Sequence, residues 1–319
     1  MGRSLKILSP PKNYHKNHPS SALIPASLSL SHSLTLSLSH SSMAEPENLV
    51  VLITGCSEGG IGYALAREFA SNGCLVTATA RSLSSMRSLE GDQRFFLLEL
   101  DVLSDEGIRK AVEGALSKFG RIDILVNNAG IHNVAPLAEV PMSTFEHVMN
   151  TNVYGPLKLI KAVVPHMISR RKGKIVNVGS VASLAPGPWA GAYTTSKAAL
   201  HALTDTLRLE FRPFGIRVIT LVPGAIRSNI GNSSLSSYES MPEWKFYKPF
   251  EKAIKARADF SQTVRSTPAN EFAKKAVAGI LKKNPPAWIS YGHLCTVVAI
   301  LYYLPLFIRD YLLRLAMKS

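Results

Sequence analysis

The stretch AYTTSKAAL sets Tyr193 and Lys197 four residues apart at the start of a helix-period segment, so both side chains share one helix face. A tyrosine hydroxyl ordinarily ionises at a pKa of about 10. A nearby ammonium favours the phenolate and makes the hydroxyl usable as a proton donor or acceptor near neutrality. The plainer reading of such a pair is two polar residues on a helix surface. A second stretch, TGCSEGGIGYALA, runs from Thr54 to Ala66 between an apolar run and a helix-period segment. Glycines placed there let the backbone approach a pyrophosphate, which the N-terminus of the following helix stabilises. A tight turn is the alternative. No Gly-Lys-Ser/Thr follows, which excludes a P-loop. About twenty residues further on, an NAD site would carry an acidic residue. This chain has Ala80 followed by Arg81. An arginine suits a 2′-phosphate, so NADPH/NADP+ is favoured; a solvated surface arginine is the alternative.

These groups need a scaffold, and the hydropathy pattern supplies one. LVVLITG, CLVTATA, RFFLLELDV, IDILVNNAG, KIVNVGS, IRVITLVPG and AWISYG are short runs rich in Val, Ile and Leu, which read as buried strands. Helix-period segments lie between them. IGYALAREFASNG sets Ile61, Leu65 and Phe69 on one face and stops at Gly73. DEGIRKAVEGALSKFG and TSKAALHALTDTLRLEF behave alike. Regular alternation of strand and helix predicts an α/β fold: a doubly wound parallel sheet with helices on both faces.

The chain of 319 residues is 46% hydrophobic, enough for a large core and incompatible with wholesale disorder. Its formal charge of +14 favours anionic partners without choosing among nucleic acid, lipid and phosphorylated substrate. No nucleic-acid motif is present, and part of the charge lies in the two ends. Cys56, Cys74 and Cys295 match no zinc spacing, so no metal site is expected, and they offer no disulfide framework.

From Asn48 to Gly292 the chain resembles the short-chain dehydrogenase/reductase family. TGCSEGGIG, LDV, NNAG, NTNVYG, IVNVGS, YTTSK and LVPGAIRS occur in family order at family spacings. The resemblance implies a single Rossmann-type sheet of seven parallel strands. It implies Tyr193 as acid/base and Ser180 as the group that hydrogen-bonds the carbonyl. Lys197 would tune Tyr193 and hold the nicotinamide ribose, and Asn152 would position a water in the proton relay. It also implies cofactor contacts from Gly55, Ser57, Gly60, Ile61 and Gly62 of the loop, and from Arg81. Asp101 would meet the adenine, beside Val102. Asn128, Ala129 and Gly130 would line the cleft. Pro223, Gly224, Ile226 and Ser228 would lie near the nicotinamide. Two departures stand out. The loop is one residue longer than the family's, leaving open whether Gly59 or Gly60 faces the phosphates. Ser228 replaces the family's threonine.

Substrate choice is expected from a lid at about 225–270. There Trp244, Phe246, Tyr247 and Phe250 stand beside Lys245, Lys248, Lys252, Lys255 and Arg257, a mixture suited to an apolar chain with an anionic head. A lid helix with a solvated basic outer face is the alternative. The end of the chain, 293–319, contains TVVAILYYLPLFIRDYLLRLAMKS. Its uncharged part is shorter than the roughly 20 residues of a spanning helix and is interrupted by Pro305. It reads as an interfacial or re-entrant membrane anchor with Tyr302 and Tyr303 at headgroup level, or as a helix in an oligomer interface. Residues 1–47 are low-complexity and Ser-rich, with no acid before Glu45. They read as a disordered leader, untranslated if Met43 is the true start; organelle import through 1–42 is the alternative.

Within the family, the GCSEGGIGYALA opening and the apolar end most resemble NADPH-dependent 1-acyldihydroxyacetone-phosphate reductases of endoplasmic reticulum and lipid droplets. That resemblance implies reduction of a lipid-like ketone to a lysophosphatidic acid at a membrane surface. A hydroxysteroid or retinoid dehydrogenase would share every catalytic residue. A membrane-surface protein that binds NADP(H) without turnover is the third reading. Monomer and homo-oligomer are both open.

Overall fold

The computed structural model describes residues 48–230, 238, 241, 243–258 and 261–317. The expected leader lies outside them. Seven strands form one parallel sheet: β1 (Val50–Thr54), β2 (Leu75–Ala80), β3 (Phe95–Glu99), β4 (Ile124–Asn127), β5 (Gly173–Val178), β6 (Ile216–Pro223) and β7 (Trp288–Tyr291), in the order β3-β2-β1-β4-β5-β6-β7. Leu52 stands opposite Thr77 on one side and Leu125 on the other. The two-residue period of a strand divides the side chains between two cores. Val51, Ile53, Val76, Val126 and Val176 pack with Phe69 and Phe272 on one face, while Leu52, Leu125, Ile175 and Val218 pack with Ile108, Leu159 and Leu207 on the other. Buried on both faces, the strands read in sequence as continuous apolar runs.

The helices follow their periodic segments. α1 (Ile61–Ser71) buries Leu65 and Phe69, and the chain leaves it through Gly73 with φ +79°. α2 (Asp105–Phe119) is capped by Ser104, whose side chain accepts from the Gly107 N–H, and ends at Gly120 in the left-handed region. α3 (Met142–Met149) continues through a π-helical turn, Asn150–Tyr154, into α4 (Gly155–Ser169). α5 (Gly191–Glu210) carries the YTTSK stretch. α6 (Glu251–Ala258) belongs to the expected lid and α7 (Ala269–Ile280) packs beside α1.

Beyond β7 the chain forms α8 (Cys295–Tyr303) and α9 (Leu306–Met317). Leu304 is extended ahead of Pro305, as a residue before proline prefers, and this separates the two helices. Neither is long enough to cross a membrane, and no described helix is. Val297, Ile300, Tyr302, Tyr303, Leu306, Phe307, Tyr311, Leu312 and Leu315 are all exposed. The three cysteines are free.

Sheet order reverses between β1 and β4, which opens a crevice at the carboxyl ends of these strands. Thr54, Asn127 and Val178 end there. The TGCSEGGIG, NNAG and IVNVGS stretches contain those three strand ends.

Candidate active site

Tyr193 and Lys197 point from α5 toward the end of β5. Both are buried, and the Lys197 Nζ lies 5.8 Å from the centre of the Tyr193 ring. Lys197 donates to the Val178 carbonyl at 2.8 Å. Ser180 lies close enough to the Tyr193 hydroxyl to act on its pKa, so the two groups expected at a substrate oxygen are brought together. Burial pushes the Tyr193 hydroxyl above its usual pKa, opposed by Ser180 and by the charge of Arg257. A second cation, Arg257 of the lid, also acts on the hydroxyl. Burial lowers the Lys197 pKa to about 8.

Asn152 sits in the π-helical turn, a distortion that tends to mark functional sites. Its Oδ1 accepts from the Ile131 N–H at 2.8 Å; its Nδ2 donates to the Ile131 carbonyl and to Ser196 Oγ, both at 2.9 Å. Ser196 in turn donates to the Tyr193 carbonyl at 2.7 Å. The Asn152 side chain thus clamps the segment after Gly130 to α5. A Cβ added at Gly130 would lie 3.1 Å from Asn152 Oδ1 and 3.5 Å from Lys197 Nζ, so glycine keeps a small polar space open between them.

The glycine loop accommodates its extra residue at Gly59 and Gly60. Gly60 is the N-cap of α1, with no side-chain cap, while Gly59 adopts φ +74°, which glycine alone tolerates easily. The loop bulges toward Asn229, which donates its side-chain amide to the Glu58 carbonyl and its backbone N–H to the Gly59 carbonyl at 3.2 Å. Gly62 admits no side chain at all: a Cβ there would come within 2.3 Å of the Gly55 carbonyl oxygen. Asn128 closes the turn from below, donating to the Thr54 and Gly55 carbonyls at 2.8 and 3.0 Å, and the Ala129 N–H donates to Thr54 Oγ1. Ser57 Oγ is 3.1 Å from Ser85 Oγ. Arg81, just past β2, is exposed, with no hydrogen bond or ion pair recorded among the described residues. Asp101 is also exposed, and its carboxylate accepts from the Leu103 N–H at 3.0 Å. Val102 is buried against Gly155. Pro223 ends β6, Gly224 passes close under the His293 carbonyl, and Ile226 joins the core. Ser228 is buried, with its Oγ lacking any hydrogen-bond partner.

A family model described as short chain dehydrogenase matches residues 49–239. The chain is a short-chain dehydrogenase/reductase. A short-chain dehydrogenase of Penicillium ochrochloron is 38% identical over 271 residues, covering 83% of this chain and 96% of that protein. A Schizosaccharomyces pombe protein named NADPH-dependent 1-acyldihydroxyacetone phosphate reductase is 40% identical over 208 residues, covering 64% of this chain and 69% of its own. Among solved structures, a short-chain dehydrogenase from Streptomyces avermitilis superposes with a TM-score of 0.70 at 26% identity, over 80% of this chain and 92% of that one.

Short-chain dehydrogenase/reductases are oxidoreductases that use NAD(P). The residues here fit such a group. The uncapped N-terminus of α1 offers its N–H groups to a pyrophosphate, and the glycines leave room for it. The orphaned Ser228 Oγ and the open Arg81 guanidinium await partners of the right polarity, an amide and a phosphate.

Some short-chain dehydrogenase/reductase site groups in this chain lay outside the sequence reading. His201 is one turn beyond Lys197 on the same face of α5. Its Nε2 accepts from the Ser180 N–H at 3.2 Å, and its Nδ1 lies 3.0 Å from Ser183 Oγ. Ser183 gives its own proton to the Ser180 carbonyl at 2.7 Å, which assigns the imidazole proton to Nδ1. Burial, helped by the charge of Lys197 and opposed by Asp205, lowers the His201 pKa to about 4. The i, i+4, i+8 spacing from Tyr193 was the available signal. His132 packs edge-on against the Tyr193 ring at 4.4 Å and is also held neutral by burial, its pKa pushed down to about 3. Its position two residues past NNAG was the only clue.

Proposed function

We propose that this chain is an NADPH-dependent reductase of a lipid ketone, converting 1-acyldihydroxyacetone phosphate to 1-acylglycerol 3-phosphate at a membrane surface. One observation carries the reading. Trp189, four residues before Tyr193, forms an aromatic wall with Tyr247 at 5.5 Å and Phe250 at 5.8 Å, with Phe250 partly open to solvent. Such a wall accommodates an apolar chain while the polar groups remain at the Tyr193 end. The name of the fission-yeast relative supports the substrate.

The glycine loop, Arg81 and Ser228 would hold the cofactor, which would supply a hydride when bound. Ser180 and Tyr193 hydrogen-bond the ketone oxygen, fixing the carbonyl and stabilising the charge that develops on it. Tyr193 then gives that oxygen its proton. A hydroxyl held above its usual pKa is protonated at neutral pH, which matches the acid a reduction needs. Lys197 and the space over Gly130 offer a route for replacing that proton from solvent.

The exposed apolar residues of α8 and α9 support seating on the endoplasmic reticulum or lipid-droplet surface through 293–319. Co-flotation with anionic phospholipid vesicles should drop on replacing Tyr303 and Phe307, 84% and 74% exposed, by serine. Unchanged flotation would remove the membrane from the reading.

The deciding assay follows NADPH oxidation by detergent-solubilised protein with 1-acyldihydroxyacetone phosphate, a steroid ketone and retinal in parallel. NADH and Tyr193→Phe serve as controls. Turnover of the acyl phosphate alone, lost in the variant, is the expected result. Turnover of steroid or retinal alone keeps the mechanism and overturns the substrate. Full activity of the Tyr193→Phe variant would overturn the mechanism itself.

A further inference from the structure

Five of the lid's cations stand among its aromatics, and the fold treats one of them differently. Lys245, Lys248, Lys252 and Lys255 are exposed, and Lys248 is engaged by Glu243 at 2.7 Å and Glu251 at 3.3 Å. Arg257 is turned inward. It follows Ile254 by three residues and precedes Ala258, and both of these are buried against Val134, Ala135, Trp189 and Trp244. That face of α6 lies over the segment that carries His132. The Arg257 Nε is shut off from solvent, and its charge acts on both His132 and the Tyr193 hydroxyl.

A guanidinium keeps its charge at every working pH, and its planar fork matches a phosphate or carboxylate with two parallel hydrogen bonds. Set beside the acid/base and below an aromatic wall, it meets a substrate whose anionic head sits a few bonds from the ketone. We infer that Arg257 binds the phosphate of the substrate and so selects phosphorylated ketones over neutral ones, while Trp189, Tyr247 and Phe250 take the acyl chain. The phosphate rests on the function proposed above; the anion site does not.

The two are separable by experiment. Protein loaded with NADP+ is titrated with octyl phosphate and with octanol, following the fluorescence of Trp189 and Trp244. In Arg257→Gln, octyl phosphate should bind about tenfold to a hundredfold more weakly, the range for losing charge-assisted hydrogen bonds, with octanol binding unchanged. Lys252→Gln, on the exposed face, should match the wild type. In turnover, Arg257→Gln should raise KM for 1-acyldihydroxyacetone phosphate far more than it lowers kcat. Equal weakening of both ligands would mean that Arg257 holds the lid in place and would overturn the assignment, as would no weakening at all. Octyl phosphate binding through Arg257, without reduction of the acyl phosphate, would sink the proposed substrate and leave the anion site standing. Reduction unimpaired by Arg257→Gln would do the reverse.

Discussion

The backbone N–H of Ser180 donates to Nε2 of His201 across 3.2 Å, and Gly179 leaves the room for it: a Cβ at Gly179 would sit 1.9 Å from that nitrogen. The residue proposed to meet the substrate oxygen is thus aimed by an imidazole one turn beyond Lys197. His201 is a positioning residue. His201→Phe strands the Ser180 N–H and should cost about 1–3 kcal/mol of stability, read by denaturant unfolding. It should also lower kcat more than it raises KM, by about tenfold or more, because a misplaced hydroxyl loses alignment with the carbonyl. His201→Gln restores an acceptor and should recover most of kcat. Equal loss in both variants would show that ring packing against Trp288, not the hydrogen bond, is what matters.

The same histidine makes stability depend on pH. His201 titrates at about 4 and His132 at about 3 in the folded protein, against 6.5 for a free imidazole. Burial disfavours the cation at both. The charges of Lys197 on His201, and of Arg257 and Lys197 on His132, act in the same direction; Asp205 opposes at His201. Below pH 6.5 the unfolded chain therefore binds protons that the folded chain refuses. Stability should be full above that pH and fall steadily toward pH 4. A melting-temperature profile measures this, and the slope should be shallower in His201→Gln.

Two proposed cofactor contacts can be tested apart from turnover. Ser228→Ala removes a buried hydroxyl that has no partner, so the cofactor-free protein should melt at the same temperature or slightly higher. NADP+ binding should weaken about fivefold, the worth of one neutral hydrogen bond. Arg81→Ala should weaken NADPH binding about tenfold or more while leaving NADH nearly unchanged, as expected for a charged contact confined to the 2′-phosphate. Equal effects on the two cofactors would move Arg81 off that phosphate.

Far from the site, Asp123 locks the opposite end of the sheet. It accepts from the Val50 N–H at 2.9 Å and from Arg121 and Arg170, both at 2.8 Å. Burial alone would push its carboxyl up, but these bonds outweigh it and hold the group below its usual pKa. Its contribution is therefore present above the ordinary carboxylate range and lost as the solution is acidified below it. Asp123→Ala should cost about 3 kcal/mol, the low end for a broken buried pair, because both arginines retain some access to water. Activity per folded molecule should be unchanged.

What the sequence determined by itself was what local pattern encodes. Continuous apolar runs become strands because both faces of a parallel sheet are covered, and helix period becomes α1, α2 and α5 because one stripe of each must face that sheet. Tyr193 and Lys197 share a face because four residues make one helical turn. Ser180, Asn152 and the cofactor residues were reachable only through the ordered motifs of a family. The tertiary structure decided the rest. The five cations among the lid aromatics are alike in spacing; only the docking of Ile254 and Ala258 turns Arg257, and not Lys255, inward. The extra residue of the glycine loop is absorbed by Asn229, which stands 171 positions from Glu58. Burial raises the Tyr193 hydroxyl and Arg257 of the lid opposes it, and neither follows from its spacing to Lys197 on the helix. Each is a contact between segments distant along the chain. Its energy depends on desolvation and on angstrom-scale approach, which residue spacing along one strand or helix does not carry.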